Sequence, residues 1–254
     1  MNDPFSLKGR NILITGASSG IGRKCAVECN AMGAGVIIIG RREDKLKEVF
    51  SQLHGKGNLF FVQDITRYDE LDTMVADAFT KNGPVDGFIN SAGIDLTMPL
   101  TAMSHKHYET LFSTNVIAGF ELARIISKKK YVSTAGASFV FISSVMGLVG
   151  NVALTAYCCS KGALIAGTKA MALELAAKKI RVNCISPAFI EDTEMTEKMF
   201  ADMTEENKNT MQARHPLGYG RTEDVAHGSV YLLSEAAKWV TGTNLIIDGG
   251  YSAK

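Results

Sequence analysis

Short apolar runs rich in valine and isoleucine recur along the chain, and each is followed by a stretch with helical periodicity. Asn11–Thr15, Val36–Ile39, Leu59–Val62, Val85–Ile89, Ser138–Ile142, Arg181–Ile185 and the run from Val240 to Ile247 read as strands. Most are apolar throughout rather than alternating, so both of their faces must be covered. Strands separated by helices require right-handed crossovers, and these build one parallel sheet with helices on both faces. The helices are expected near Tyr68–Lys81, Ser104–Lys130, Tyr157–Lys178 and Thr222–Ser234, with a further one opening near residue 20. No repeat or low-complexity linker divides the 254 residues, so a single domain over 1–254 is expected.

The turn after the first strand reads Thr15-Gly16-Ala17-Ser18-Ser19-Gly20-Ile21-Gly22 and leads into a helix. Glycines let the backbone approach a pyrophosphate, and the free N–H groups of a helix N-terminus face its charge. The second strand ends in Gly40-Arg41-Arg42, where a site for NAD would carry an acid for the ribose hydroxyl. Guanidinium groups there suit a 2′-phosphate, so NADP(H) is expected over NAD(H), unless both arginines merely open the next helix into solvent. Asp64-Ile65 after the third strand would face the adenine, and the small residues of Asn90-Ser91-Ala92-Gly93 after the fourth permit close approach to a cofactor.

From Tyr131 to Ser160 there is no charged residue and no histidine, and charge returns at Lys161, four positions after Tyr157. If Tyr157 opens a helix, Lys161 lies on the same face one turn on. An ammonium beside a phenol favours the phenolate, which makes Tyr157 a candidate acid/base with a lowered pKa. A serine hydroxyl could hold a carbonyl oxygen beside it, and Ser144 is the better placed of the pair Ser143-Ser144. By itself a Tyr-x-x-x-Lys pair is far more often an ordinary amphipathic face. The uncharged run is broken by Ser143, Ser144, Gly147, Gly150 and Asn151, which excludes a membrane span.

Composition removes other classes. The net charge of +1 offers nothing to nucleic acid or an anionic membrane surface. The first ten residues hold no apolar segment of the signal-peptide kind, and five cysteines without framework spacing read as free thiols, so a cytoplasmic protein is expected. Histidines do not join cysteines at ligand spacing, and no metal site is expected. After Pro187 the chain turns polar, acidic and methionine-bearing to about residue 220, which suggests one or two short helices forming a substrate lid over 188–220.

Taken in order, these motifs together with Asn115, Pro187 and the terminal Asp248-Gly249-Gly250 resemble the short-chain dehydrogenase/reductase family over essentially the whole chain. The resemblance implies a doubly wound Rossmann fold with a seven-stranded parallel sheet, and a catalytic set of Asn115, Ser144, Tyr157 and Lys161. By that likeness Tyr157 protonates a substrate carbonyl while Ser144 hydrogen-bonds the same oxygen. Lys161 would bind the nicotinamide ribose and lower the Tyr157 pKa, and Asn115 would hold a proton-relaying water. Pro187, Ile190 and Thr193 would flank the nicotinamide, although the segment after Pro187 is one residue longer than the family pattern.

The pattern is nearest to 3-oxoacyl-(acyl-carrier-protein) reductases, with NADPH-dependent reduction of a carbonyl, or the reverse, as the expected reaction. A hydroxysteroid or sugar-alcohol dehydrogenase would carry the same motifs. A non-catalytic NADP(H)-sensing regulator would be expected to have lost Tyr157 or Lys161, and both are present. Lys128–Lys130 and Lys178–Lys179 are the candidate docking points for an acidic carrier protein. The family also implies a homotetramer, built mainly on the helices of Ser104–Lys130 and Tyr157–Lys178.

Overall fold

The computed structural model describes residues 3–201 and 203–253, so both ends of the expected domain and residue 202 of the expected lid lie outside the described residues. Seven strands form one sheet: β1 (Asn11–Thr15), β2 (Gly35–Gly40), β3 (Leu59–Val62), β4 (Gly87–Asn90), β5 (Ala137–Ile142), β6 (Ile180–Pro187) and β7 (Asn244–Ile247). Their order is β3-β2-β1-β4-β5-β6-β7 and every pairing is parallel. The strand order reverses between β1 and β4, and the crevice beyond the carboxyl ends of those strands is where such a sheet takes a ligand.

Alternate residues of each strand enter opposite cores, as the period of two requires. Leu13, Ile37 and Ile39 join Phe88, Phe139 and Phe141 on one face. That face is covered by α3 (Tyr68–Asn82), α5 (Ala118–Ile126) and α6 (Thr155–Leu175). Ile12, Ile14 and Ile38 enter the other core, beneath α1 (Gly20–Ala31), α2 (Glu43–Phe50) and α9 (Thr222–Leu233). Phe88 meets Phe139 and Phe141 edge-on at 5.7 and 5.9 Å between ring centres. Each fully buried ring removes apolar surface worth about 2–3 kcal/mol.

The expected helix over Ser104–Lys130 is three pieces: α4 (His105–Phe112), a π-turn at Ser113–Ile117 and α5. The wider turn holds Asn115, and insertions of this type mark functional positions. β4 starts later than the apolar run suggests, because Val85 pairs in isolation with Val132. β7 starts at Asn244 because Gly242, at φ 73°, turns the chain just before it. Between β6 and α9 lie two short helices, α7 (Glu194–Ala201) and α8 (Glu205–Ala213). Both ends of this excursion meet at a parallel bridge, Ile190 with Gly220, where Glu191 N–H donates to the Gly220 carbonyl at 2.9 Å. Asp192 accepts from the Thr222 amide and hydroxyl at 2.8 and 2.7 Å, tying the same hinge to α9.

Candidate active site

The turn between β1 and α1 is shaped by backbone contact. Gly16 has φ +67°, and a Cβ on it would stand 2.8 Å from the Ala92 backbone. Gly22 is tighter still, since a Cβ there would lie 2.4 Å from the Gly16 carbonyl oxygen. Ser19 caps α1 in extended geometry with no side-chain cap bond, and the first turn carries no acid. In contrast, α2 and α3 each place two acids in their first turns. The N–H groups of α1 are thus left for an external anion. Ile21 packs its side chain against the core, leaving its amide on the turn.

On the adenine side, Asp64 accepts from the Thr66 amide and hydroxyl at 2.9 and 2.7 Å, and these bonds, with Arg41 nearby, hold its carboxyl below the usual range. Arg41 and Asp64 share the lining of a 300 Å³ cavity with Val62, Gln63, Arg67 and Glu70. The Ile65 side chain does not face this cavity. It is buried in the core that also holds Leu13 and Leu71, so only its backbone remains for a ligand. Arg42 points the other way, donating through Nη1 to both carboxylate oxygens of Glu194 at 3.0 and 2.9 Å. Its Nη2 lies 3.4 Å from Ser18 Oγ.

Asn90 is buried at 1% exposure, accepting from Thr15 Oγ1 at 3.0 Å and pressed against Gly119 of α5. Its side chain props the carboxyl end of the central strand, which leaves its backbone and Ala92, whose amide donates to Thr15 Oγ1 at 3.2 Å, beside the crevice. A Cβ on Gly93 would stand 3.4 Å from Lys161 Nζ and 3.5 Å from Asn115 Oδ1, so Gly93 keeps open the space these two groups border.

Asn115 clasps the β4 loop: Oδ1 accepts the Ile94 amide at 2.8 Å, and Nδ2 donates to the Ile94 carbonyl at 2.9 Å and to Ser160 Oγ at 3.1 Å. Ser143 donates to the Lys161 carbonyl at 2.8 Å and is structural. Ser144, two residues past β5, accepts from the Met146 amide at 3.1 Å and reaches the Tyr157 phenol. Of the two serines, Ser144 is therefore the one beside the phenol.

The expected lowering of the Tyr157 pKa does not hold in the chain itself. Tyr157 is only partly buried as a whole residue, yet its hydroxyl end lies in dense protein, and burial pushes the phenol up to about 12. Ser144 pulls it back down, while the carboxylate of Asp95 raises it. Lys161 Nζ stands 5.7 Å from the ring centre and donates to the Ile142 carbonyl at 3.0 Å. Burial brings the ammonium down to about 8. Desolvation disfavours both charged forms and outweighs the attraction between them.

Of the residues expected near the nicotinamide, Pro187 is the last residue of β6, opposite Ile247, so the strand runs two residues beyond the expected Ile185. The Ile190 side chain is in the core at 6% exposure, turned inward where the residue bridges to Gly220, so only its backbone remains for a ligand. Thr193 accepts the Thr196 amide at 3.1 Å and so caps α7, with its methyl 3.6 Å from where a Cβ on Gly20 would be. It thus reaches the phosphate turn. The lysines expected to meet a carrier protein are at the far end of the sheet, where Lys179 bonds Ala137 at the start of β5. Lys178 donates to the Ser127 carbonyl, and Lys128 and Lys130 pair with Asp72. The 21 residues of α6 separate that end from Tyr157 by about 30 Å.

Asp95, Ser160 and Glu194 escape a reading of the sequence. Their parts depend on what the fold brings beside them, and only Ser160, one residue before Lys161, sits within a motif. Among the described residues no group of three or more His, Cys, Asp or Glu side chains could hold a metal, and no helix is long and apolar enough to cross a membrane. All five cysteines are free.

The N-terminus of α1 without a side-chain cap bond, the arginines beyond β2, and a buried ammonium whose hydrogen bond to Ile142 leaves donors for ribose hydroxyls together fit a nicotinamide dinucleotide. Fold and site define an oxidoreductase working between alcohol and carbonyl. Residues 16–252 match the family model described as Enoyl-(Acyl carrier protein) reductase. The chain is 33% identical over 251 residues to the NAD-dependent glycerol dehydrogenase of Listeria innocua, covering 98% of this chain and 96% of that one. It is 34% identical over 247 residues to the 3-oxoacyl-(acyl-carrier-protein) reductase of Thermotoga maritima, covering 96% and 98%. The gluconate 5-dehydrogenase of Burkholderia cenocepacia, solved with NADP and tartrate, superposes with a TM-score of 0.91 at 25% identity over 99% and 98% of the two chains. The chain belongs to the short-chain dehydrogenase/reductase family.

Proposed function

We propose that the protein is an NADP(H)-dependent reductase of a carbonyl, or dehydrogenase of the corresponding alcohol, with Tyr157 as the proton-transfer group. The observation that carries this is the convergence of Ser144, Tyr157, Lys161 and Asn115 around the space that Gly93 leaves open. The nicotinamide supplies or accepts the hydride. Tyr157, held protonated by burial, donates to the carbonyl oxygen; Ser144 hydrogen-bonds that oxygen and opposes its drift. Lys161 holds the ribose hydroxyls and, with its ammonium toward the ring, steadies the phenolate that remains. Asn115 keeps the β4 loop in register and borders the space through which a water would pass the proton onward.

Arg41 and Arg42, in place of an acid after β2, support NADP(H) over NAD(H). On substrate, a 3-oxoacyl thioester is one reading, supported by the Thermotoga relative. The distance of the lysine clusters from Tyr157 argues against docking of a carrier protein there. A hydroxyl-rich substrate is the second reading, supported by the glycerol and gluconate enzymes among the similar proteins and by the Asp95 carboxylate near Tyr157, which accepts hydrogen bonds from hydroxyls. The 188–220 excursion, hinged at Ile190–Gly220, would act as the lid. Leu173 and Trp239, 83% and 97% exposed, support burial in a homotetramer, and we place that assembly in the cytoplasm.

Oxidation of NADPH and NADH, followed at 340 nm against acetoacetyl thioesters, steroids and keto-sugars side by side, tests the reading. Turnover with NADPH and one of these classes is the expected result; binding of NADPH without turnover of any of them counts against it. Arg41→Asp should reduce the preference for NADPH, and an unchanged preference removes Arg41 from the reading. Light scattering after size exclusion tests the tetramer.

A further inference from the structure

Arg42 and Glu194 are 152 positions apart, yet the carboxylate covers Nη1 of the guanidinium with both oxygens at 3.0 and 2.9 Å. Arg42 stands at the β2–α2 turn, with Ser18 of the phosphate turn beside its other amino group. Glu194 is the first residue of α7, directly after Thr193, whose methyl lies over Gly20. The segment Thr193–Glu194 therefore reaches from the hinged excursion across to the glycine turn after β1, and its carboxylate meets a guanidinium that stands beside Ser18 of that turn.

We infer that Glu194 is an internal competitor for the cofactor's 2′-phosphate: it neutralises Arg42, must be displaced when a 2′-phosphate binds, and so sets the discrimination between NADP(H) and NAD(H) while coupling it to the release of α7. This rests on the reading that Arg41 and Arg42 receive a 2′-phosphate. A phosphate monoester carries close to two negative charges near neutral pH, so it is repelled by a carboxylate seated on the same guanidinium. A ligand with a free 2′-hydroxyl meets no such repulsion and leaves the pair in place. Both partners are roughly half exposed, so the contact is weak enough to be exchanged for a stronger one. Glu194 is a positioning residue in this scheme, since it acts through Arg42.

The test uses 2′,5′-ADP and 5′-AMP, which carry or lack the 2′-phosphate and have no nicotinamide to act on the lid. Calorimetric titration of the whole protein should show that Glu194→Gln binds 2′,5′-ADP about threefold to tenfold more tightly than the parent does. Its affinity for 5′-AMP should be unchanged. In the parent, 2′,5′-ADP and not 5′-AMP should speed hydrogen exchange in residues 194–201, and in Glu194→Gln that segment should exchange fast without ligand. If the parent prefers 2′,5′-ADP but the substitution leaves the ratio of the two affinities unmoved, or moves both equally, the competition is overturned. If the parent binds both nucleotides equally, the 2′-phosphate reading itself has failed.

Discussion

Lys161 Nζ stands 5.7 Å from the centre of the Tyr157 ring, one turn further along α6, and its ammonium donates to the carbonyl of Ile142. Two groups whose charged forms would attract are each held toward neutrality by the protein around them. A site arranged in this way is costly to fold and ready to react.

The Lys161 pKa of about 8 lies below its ordinary 10.5, so folding favours the neutral amine. The stability it contributes is complete above pH 10.5 and is lost as pH falls through 8. Lys161→Met should therefore be more stable than the parent at pH 7, by up to roughly 3 kcal/mol, while losing turnover. The gap should close as pH rises from 8 to 10.5. Thermal unfolding of both proteins across that range measures it, and a constant gap would show that the amine is charged in the fold.

Tyr157→Phe removes the transferable proton and little else. Its kcat should fall by about 10²–10⁴ while nucleotide affinity is retained. Steady-state kinetics paired with fluorescence titration of NADPH separates the two, and parent-like turnover in this variant would overturn the assignment.

Asp95→Asn removes a negative charge that raises the Tyr157 pKa. Carbonyl reduction needs the protonated phenol, so the alkaline limb of its pH–rate profile should move to lower pH. A profile that moves the other way would mean that Asp95 acts on a different group.

Asn115→Ala should lose the clasp on Ile94 and leave a buried amide and carbonyl without partners. The expected loss is roughly 2–3 kcal/mol, together with lower kcat as the β4 loop shifts. Asn115→Asp keeps an acceptor for the Ile94 amide but cannot donate to its carbonyl when ionised, and should fall between. Calorimetric melting of the three proteins sets the order.

Two glycines should respond oppositely to alanine. A Cβ on Gly22 meets the Gly16 carbonyl at 2.4 Å, backbone against backbone, so Gly22→Ala should distort the phosphate turn and abolish nucleotide binding. A Cβ on Gly162 finds the Gly147 oxygen at an ordinary 3.5 Å. Gly162→Ala should stabilise α6 by about 0.5–1 kcal/mol. Melting temperatures and NADP⁺ titration check both.

Much of the fold and the site was legible because their signals are local. The runs Val36–Ile39 and Ser138–Ile142 announce strands covered on both faces, and the glycine turn after Thr15 announces an anion at a helix start. The four-residue spacing of Tyr157 and Lys161 puts both on one face of any helix that contains them. Even the short helices after Pro187 follow from the change in composition. Ile65 and Ile190 were harder: their motifs sit at the crevice, but which way each side chain turns depends on strand register and on the Ile190–Gly220 bridge.

The sequence by itself determined the parallel sheet and the glycine turn before α1, and singled out Tyr157 as the candidate acid/base, since periodicity and short spacing are imposed by the covalent chain. Only the tertiary structure decided the burial that raises that phenol's pKa, the charge of Asp95 that adds to the rise and the meeting of Glu194 with Arg42. Desolvation and Coulomb forces depend on what distant segments bring within a few ångströms, and no local pattern carries that distance.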